Sequence, residues 1–365
     1  MVGHGFMGRA HSNAWRTVAR AFDVEVTPVM AVVAGRDERR VRTTAERLGW
    51  AGWSTDWRAV VERDDVDLVD VCTPGDSHAE IALAALAAGK HVLCEKPLAN
   101  TVAEAEALAE AAGASDRVAM VGFNYRRLPA TELARRLVAS GRLGEVRHVR
   151  AAYLQDWLHD ENAPASWRLD AASAGSGALG DLGSHVVDLA QHLTGSTLGS
   201  VTALAHTFVP VRPSPEGDRA VTVDDAALFV GRFGNGALGA FEATRMATGR
   251  RNALRVEVNG SLGSVAFDLE RLNELEVYDG ADGDTAGFRR VLVTDADHPW
   301  LSGWWPPGHT LGWEHTFVHQ AKDLLDAIAS GTPASPSFHD GLQVQRVLAA
   351  VQDSAATGAL VDVGA

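Results

Sequence analysis

The side chains best suited to chemistry in this sequence are a carboxylate and an imidazole that follow a glycine-rich turn. In GSGALGDLGSHVVDL, residues 175–189, Asp181 and His185 stand four positions apart at the start of an apolar-periodic segment. If the segment is helical, the two side chains lie on one face of the helix. Because histidine has an unperturbed pKa near about 6.5, the pair suggests a general base, His185, beside a carboxylate that orients it.

Two other interpretations fit the same pair of residues. Asp181 and His185 could be two metal ligands at helical spacing, but the sequence offers no compact cluster that would complete the site. They could equally be a helix-capping carboxylate and a hydrogen-bonded core histidine. The sequence therefore predicts no metal site and leaves the structural interpretation open.

A second motif, GHGFMG, opens the chain with the spacing of a dinucleotide-binding turn. Gly3, Gly5 and Gly8 permit a tight turn and let a pyrophosphate approach the N-terminus of the helix that follows. Only Met1 and Val2 precede this turn, so either the first strand is very short or the chain begins late.

The end of the next predicted strand bears on the choice of cofactor. An acidic residue there favours NAD, and an arginine accommodates the 2′-phosphate of NADP. The sequence has Gly35-Arg36-Asp37, which favours NADP, although Asp37 keeps NAD possible and Arg36 could be an ordinary surface residue.

Lys96 lies in CEKP, residues 94–97, where a predicted strand ends. Ligands of open α/β sheets bind at the carboxyl ends of the strands, so Lys96 could donate a hydrogen bond to a substrate hydroxyl. A surface lysine at a turn is the alternative.

Hydrophobic patterning predicts an α/β domain followed by an α+β domain. Residues 1–123 alternate helices and buried strands, which is typical of a doubly wound parallel sheet. The predicted helices are 8–22, 38–49, 78–89 and 102–113. The predicted strands are 28–34, 66–74 and 117–123, and 91–97 is predicted to be a strand followed by a turn. We expect residues 1–123 to form a Rossmann domain.

The remaining residues, 124–365, are expected to form a domain with a large, mainly antiparallel sheet. Period-two alternation at 145–155 and from 199 to 294 predicts strands, with hairpins at 223–244 and 254–270. The helix at 175–194 interrupts them. Helices are predicted near 312–330 and 340–357, the last packing back on the first domain. Residues 209–218 are the best candidate for a mobile loop, and 304–309 form a second irregular segment.

Composition excludes several classes of protein. The formal charge of −14 over 365 residues argues against a nucleic-acid or anionic-membrane binder. No apolar run approaches the roughly 18 residues of a membrane span, and the N-terminus lacks the apolar core of a signal peptide. Cys72 and Cys94 lie in strand-like runs and are interpreted as small buried hydrophobes. We therefore expect a cytoplasmic protein.

Taken together, four stretches resemble the Gfo/Idh/MocA oxidoreductases. They are GHGFMGRAH (3–11), CTPGDSHAEIALAALAAGKHVLCEKPLA (72–99), VGFNYRR (121–127) and AGSGALGDLGSHVVDL (174–189). YLQDW (153–157), SWR (166–168) and PSFHDG (336–341) are most similar to the branch of that family that contains levoglucosan dehydrogenase.

The resemblance implies a Rossmann domain, a second domain with a large open sheet, and a site in which Lys96, Asp181 and His185 surround the reacting hydroxyl beside the nicotinamide. It also implies NAD(P) as cofactor, with the lean to NADP resting on Arg36, and a homodimer or homotetramer paired through the open sheet. The expected cofactor-binding residues are Gly3, Gly5, Phe6, Met7, Gly8, Arg36, Thr73, Pro74, His78, Glu95 and Lys96. A structural role is expected for His11.

Substrate contacts are expected where polar and aromatic side chains occur in the matching motifs, because sugars offer both polar edges and apolar faces. These residues are Tyr125, Gln155, Asp156, Trp157, Trp167, Arg168 and His185, with Trp304, Trp305, His309 and Trp313 as candidates for a far wall. Each tryptophan could instead serve core packing.

The predicted function is hydride transfer between NAD(P) and a hydroxyl or keto carbon of a sugar, anhydrosugar or cyclitol. Two alternatives remain: a glycosidase that oxidises its substrate transiently with bound NAD, and a non-enzymatic sensor that binds a dinucleotide. A zinc hydrolase is the least favoured alternative.

Overall fold

The computed structural model describes residues 1–364. Within this range it has ten α-helices: α1 (Phe6–Ala21), α2 (Glu38–Leu48), α3 (Trp57–Val61), α4 (His78–Ala87), α5 (Val102–Gly113), α6 (Pro129–Ala139), α7 (Ala171–Ala174), α8 (Ser184–Thr194), α9 (His315–Ser330) and α10 (Phe338–Thr357). None of them is long and apolar enough to cross a membrane.

Sixteen strands occur in the same range: β1 (Val32–Ala34), β2 (Gly52–Ser54), β3 (Leu68–Val71), β4 (His91–Cys94), β5 (Ala119–Val121), β6 (Val146–Leu154), β7 (Leu198–His206), β8 (Val211–Arg212), β9 (Arg219–Ala220), β10 (Ala226–Phe233), β11 (Leu238–Thr244), β12 (Ala253–Gly260), β13 (Gly263–Asp268), β14 (Glu274–Asp279), β15 (Arg289–Leu292) and β16 (Val361–Asp362).

Two compact units divide the chain. The first comprises residues 1–127 and 312–342, and the second comprises 128–311 and 343–365. The sequence places a single boundary after residue 123. The structure differs for residues 312–342, which carry α9 and the start of α10 and belong to the first unit.

The first unit is built on parallel strands, as the alternating pattern predicts. β1 pairs with β2, and β3 pairs with β4, which pairs with β5, all in parallel. Val2 joins the two groups through parallel bridges to Ala34 and Val71. The predicted strand 28–34 is shorter than expected, since only 32–34 are paired and Val29 is 81% exposed.

Local capping residues account for the helix bounds in this unit. The side chain of Asp37 accepts a hydrogen bond from the Arg40 N–H at the start of α2, and Gly49 ends that helix with φ of 80°. Thr101 and Glu104 form a reciprocal capping box at the start of α5. These residues fix two of the helices that cover the parallel sheet.

The second unit is built on one sheet with the strand order β15-β14-β13-β12-β6-β11-β10-β7-β16. Among its pairings only that of β6 with β11 is parallel. The predicted hairpins are confirmed as β10–β11 and β12–β13. On β6, buried Val149, Ala151 and Tyr153 alternate with outward-facing residues, and α8 packs on the buried face.

Residues 209–218, predicted to be a loop, include strand β8 and the turn at 213–218 that follows it. β8 pairs with β9 across this segment. Arg212 is fully buried and donates to the carbonyl oxygens of Leu158 and Asp160, each at 2.7 Å. Because a buried guanidinium must keep its hydrogen bonds, this arginine anchors the segment.

Candidate active site

The glycine-rich turn of the first unit has the shape required of a dinucleotide-binding turn. A side chain at Gly3, whose φ is 96°, would overlap the carbonyl of Cys72, and one at Gly8 would overlap the carbonyl of Gly3. Gly5 is the N-cap of α1, no side chain caps this helix, and a Cβ at Gly5 would meet only open space. Phe6 is 56% exposed at the same turn. The first turn of α1 therefore fits an anionic group.

The end of β1 is crowded on one side and exposed on the other. A Cβ at Gly35 would overlap the ring of His4, whose own pKa is lowered by burial and by the nearby Arg40. Arg36 is exposed. The carboxylate of Asp37 accepts from the backbone of Arg40 at 2.9 Å, so it serves first as a helix cap.

The turns after β3 and β4 are held together by a buried histidine. The ring nitrogens of His78 lie 2.9 Å from the carbonyl oxygens of Thr73 and Pro97. The hydroxyl of Thr73 is buried without a hydrogen-bond partner among the residues described, which is consistent with a ligand at this turn. His78 itself is 1% exposed, so its ring supports these two turns from inside the unit.

Lys96 and Glu95 face different surroundings. Lys96 is half-buried at the carboxyl end of β4, whereas Glu95 is 4% exposed and directs Oε1 to His11 at 2.9 Å. The sequence predicts that Glu95 binds the cofactor directly. Its side chain is buried in the first unit, where it contacts His11.

Two aromatic residues predicted to contact substrate lie in the first unit. Tyr125 is 4% exposed, and its hydroxyl accepts from the indole N–H of Trp313 at 3.2 Å. Trp313 stacks on Phe6 with ring centroids 5.4 Å apart and an interplanar angle of 8°. Trp313 thus belongs with the glycine-rich turn rather than with Trp304 and Trp305 in the second unit.

In the second unit, Asp181 lies in a π-helical turn, Leu179–Gly183, that leads directly into α8. The carboxylate of Asp224 accepts from the backbone N–H of Gly177 at 2.7 Å and of Leu179 at 2.8 Å. A side chain at Gly177 would overlap the Asp224 backbone. The sequence interprets the glycines as room for the cofactor, but this one makes room for Asp224.

Asp181 has a cationic partner that the sequence pattern does not reveal. Its Oδ2 accepts from Nη2 of Arg245 at 3.0 Å, and Arg245 is 1% exposed. His185 is 7% exposed and meets the ring of Tyr153 edge-on at 5.8 Å. The Arg245 guanidinium therefore balances the charge of the Asp181 carboxylate.

Two pairs of arginine and tryptophan side chains lie near Asp181. The Arg245 guanidinium lies 5.2 Å from the ring centroid of Trp157, and that of Arg168 lies 4.5 Å from the ring centroid of Trp167. Burial lowers the pKa of Arg168, which Asp181 counteracts. Trp157 and Trp167 remain 42% and 39% exposed. Exposed rings beside charged groups suit a ligand with apolar faces and polar edges.

Gln155 and Asp156 follow β6 but differ in role. Gln155 donates to Oδ1 of Asn252 at 2.7 Å, as does the hydroxyl of Tyr153. Asp156 is 4% exposed and accepts from the Gly249 N–H at 3.0 Å, so it supports the loop rather than facing outward. Asn252 and Arg245 are missed by sequence reasoning because neither stands in a motif.

Comparison with known proteins now identifies the family. Residues 1–123 match the oxidoreductase family with an NAD-binding Rossmann fold, and residues 131–266 match the GFO/IDH/MocA C-terminal domain. The chain belongs to the GFO/IDH/MocA oxidoreductases. The fold class, the oxidoreductase class and the resemblance inferred from the motifs are thereby confirmed.

Relatives within the GFO/IDH/MocA family include dehydrogenases of sugars and cyclitols. Levoglucosan dehydrogenase of Pseudarthrobacter phenanthrenivorans is 41% identical, over 100% of this chain and 97% of its own. Inositol 2-dehydrogenase of Rhizobium meliloti is 28% identical, over 94% and 92%. The solved complex of levoglucosan dehydrogenase with NADH and levoglucosan has 43% identity and a TM-score of 0.97, covering 100% of this chain and 98% of that one.

An oxidoreductase domain protein from Kribbella flavida is more similar in sequence. Its crystal structure has 60% identity and a TM-score of 0.98, and the alignment covers 100% of this chain and 98% of that chain.

The packing of the π-helical turn generates a stability prediction. We expect Gly177→Ala to lower the free energy of unfolding by about 2 kcal/mol or more, because the new methyl group must displace the Asp224 backbone. Urea unfolding followed by circular dichroism measures this. Gly287→Ala is the control, since a Cβ there meets nothing within 4 Å. Equal stability of the two variants would contradict the packing argument.

Proposed function

We propose that this GFO/IDH/MocA protein is an NAD(P)-dependent dehydrogenase that oxidises a hydroxyl of a sugar, anhydrosugar or cyclitol. The observation that carries the proposal is the cluster in the second unit. There a carboxylate held by a buried arginine precedes a buried imidazole by four residues, and two half-exposed tryptophans lie close to the arginines. Levoglucosan as substrate of a 41% identical relative supports the same chemical class.

We assign the proton chemistry to His185, Asp181 and Lys96. Bound NAD(P) supplies the hydride acceptor. His185 removes the hydroxyl proton, and Lys96 donates a hydrogen bond to the same oxygen and stabilises the negative charge that develops on it. Asp181 orients His185. Its hydrogen bond to Arg245 favours this role over passing the proton onward, because the bond stabilises the ionised carboxylate.

The solvent exposure of each candidate side chain decides whether we propose it as a substrate contact. We propose that Trp157, Trp167, Arg168 and Gln155 contact the sugar directly, since the two indole rings are partly exposed and Asn252 holds the Gln155 amide beside them. Asp156 and Tyr125 are buried, so we assign them a supporting part. In the first unit, Gly3, Gly5, Phe6, Met7, Gly8, Thr73 and Pro74 are the proposed cofactor contacts.

The catalytic assignment predicts a selective loss of turnover. A panel of sugars, inositols and levoglucosan is assayed by nicotinamide absorbance with NAD and NADP separately. For the best substrate we expect His185→Ala to lower kcat by about 10²- to 10⁴-fold while NADH binding is retained. His206→Ala, which changes an exposed histidine of the second unit, is the control. Full turnover by His185→Ala would refute the assignment of His185 as the base. A wild-type protein that reduces neither NAD nor NADP would refute the proposed dehydrogenase activity.

We further propose that the tip of β1 accommodates the 2′-phosphate, so that NADP is used as well as NAD. Arg36 is exposed there, and Asp37 is engaged as a helix cap. We expect Arg36→Glu to lower kcat/KM for NADP at least about tenfold and to change the value for NAD little, because one charge-assisted contact is replaced by repulsion. Arg47→Glu, an exposed change later in α2, is the control. An unchanged ratio between the cofactors in Arg36→Glu would contradict the proposal.

A second copy of the chain is the proposed partner of the open face of the large sheet. Leu204, Leu228, Val230 and Leu238 on its central strands are 74%, 49%, 56% and 47% exposed. A contiguous apolar patch of this kind favours a self-complementary interface. We therefore propose a homodimer or homotetramer.

The molecular mass of the protein in solution tests this interface. Light scattering is expected to give two or four times 38.7 kDa for the wild type. Leu204→Glu/Leu228→Glu is expected to give the monomer, because buried carboxylates would lack partners. Leu262→Glu, at a 60% exposed position in the β12–β13 turn, should keep the wild-type mass. A monomeric wild type would overturn this proposal.

A further inference from the structure

His11 is buried between two carboxylates from neighbouring strands. It is 2% exposed, its Nδ1 lies 2.9 Å from Oδ1 of Asp70 on β3, and its Nε2 lies 2.9 Å from Oε1 of Glu95, which follows β4. A neutral imidazole carries one N–H and could donate to only one of them. Both contacts are hydrogen bonds when the ring carries two protons.

The surrounding groups favour the charged ring. Burial alone would lower the pKa of His11, but the Asp70 carboxylate raises it well above its usual value. Burial opposes the ionisation of Asp70, yet His11 keeps the pKa of that carboxyl below its usual range. Trp15 donates to Oδ2 of Asp70 at 2.8 Å. The His11 imidazolium is therefore shared by the buried carboxylates of Asp70 and Glu95.

The other groups packed around His11 do not compete for this role. The pKa of Cys72 is raised to about 12 by burial and by Asp70, so the thiol stays protonated. The positive charge of the Met1 amino group also lowers the pKa of Asp70, and the ring of Phe317 packs 5.4 Å from that of His11.

His11, Asp70 and Cys72 also lie close enough together to suggest a metal site. A metal does not fit the chemistry of the three groups. Both ring nitrogens of His11 are already directed at carboxylates, and Cys72 would have to lose a proton that its surroundings retain.

Glu95 connects the bridge formed by Asp70, His11 and Glu95 to the end of β4, where Lys96 lies. Its Oε2 accepts from the backbone N–H of Lys96 at 3.2 Å, and its own N–H donates to the carbonyl of Val71 at 2.9 Å. A Cβ at Gly122 would lie 2.9 Å from Oε1, so the carboxylate fills the space beside that glycine. The Glu95 side chain is therefore fixed by His11 on one side and shapes the backbone at Lys96 on the other.

We propose that His11 is a positioning residue for catalysis: as an imidazolium shared by Asp70 and Glu95, it holds the Glu95–Lys96 backbone in the geometry that presents the Lys96 ammonium to substrate. This inference rests on the function proposed above, in which Lys96 acts on the reacting oxygen. Asp70 anchors the bridge to β3, so the ends of two neighbouring strands are fixed together.

The test compares His11→Gln with a matched variant, His319→Gln. His319 is also buried in the first unit, but its Nδ1 faces one backbone carbonyl and its pKa is lowered by burial to about 3, so it is neutral. At a temperature where both variants are folded, we expect His11→Gln to lower kcat at least about tenfold, with KM and NADH affinity within about threefold of wild type. His319→Gln should lose stability but keep kcat.

A second variant tests the charge argument. Glutamine at position 11 leaves two buried carboxylates without their cation, and His11→Gln/Glu95→Gln removes one of these charges. We expect the double variant to be more stable than His11→Gln and to recover part of its kcat. No recovery of either quantity would overturn the role of the charge.

The pH dependence of unfolding gives a readout that does not require turnover. Because the pKa of His11 is raised on folding, its stabilisation is complete below the unfolded value of about 6.5 and is lost as the pH rises through the folded value. The stability difference between wild type and His11→Gln should therefore shrink above neutral pH. A difference that is constant with pH, or a His11→Gln protein with wild-type kcat, would overturn the inference. A wild type without turnover would instead refute the proposed function.

Discussion

In each unit a buried charge touches an opposite charge beneath the candidate site residues, and these two contacts hold the surrounding segments in place. In the second unit Arg245 is almost wholly buried and binds Asp181. In the first unit His11 lies between Asp70 and Glu95. Removing one partner from a contact of this kind leaves the other charge desolvated and unpaired, at a cost of about 3–5 kcal/mol. Such contacts tolerate few alternative geometries, which is useful where proton donors and acceptors must be held in place.

The two units divide the work that a nicotinamide-dependent dehydrogenase requires. The parallel strands of the first unit end in turns that fit a dinucleotide: the glycine-rich turn, the buried Thr73 hydroxyl and the turn at Lys96. The large sheet of the second unit supports the proposed base His185, the carboxylate of Asp181 and two partly exposed indole rings. The cofactor carries the redox chemistry, so the protein is left with binding, orientation and proton transfer. This division would explain why the residues proposed to be catalytic stand so far apart along the chain.

Local signals in the sequence predict the elements well. The hairpin turn at GNG between β10 and β11 and the Gly49 end of α2 are both found where they are expected. Patterns that depend on distant contacts are less informative. The π-helical turn at Asp181 follows from packing against Asp224, which lies on another segment. β1 is shorter than its apolar run, because apolar character alone does not determine where regular strand pairing begins.

For the same reason, the sequence predicts only part of the candidate site. Asp181, His185 and Lys96 stand in short motifs whose residue types and spacing suggest chemistry. Arg245 follows a strand with no motif around it, and only tertiary structure brings it to Asp181. Gly177 illustrates a further limit, since a glycine required by a neighbouring backbone resembles one required by a ligand.

The most direct test of this account follows the hydrogen itself. The protein is incubated with NAD or NADP and with levoglucosan deuterated at every carbon, and the reduced nicotinamide is examined by mass spectrometry and proton NMR. The account predicts one deuterium at C4 of the nicotinamide for each sugar oxidised, with the label on one face only. If levoglucosan is not turned over, deuterated sugars and inositols are tested in the same way. Reduced cofactor without deuterium, or no transfer from any polyol to a cofactor that binds, would contradict it.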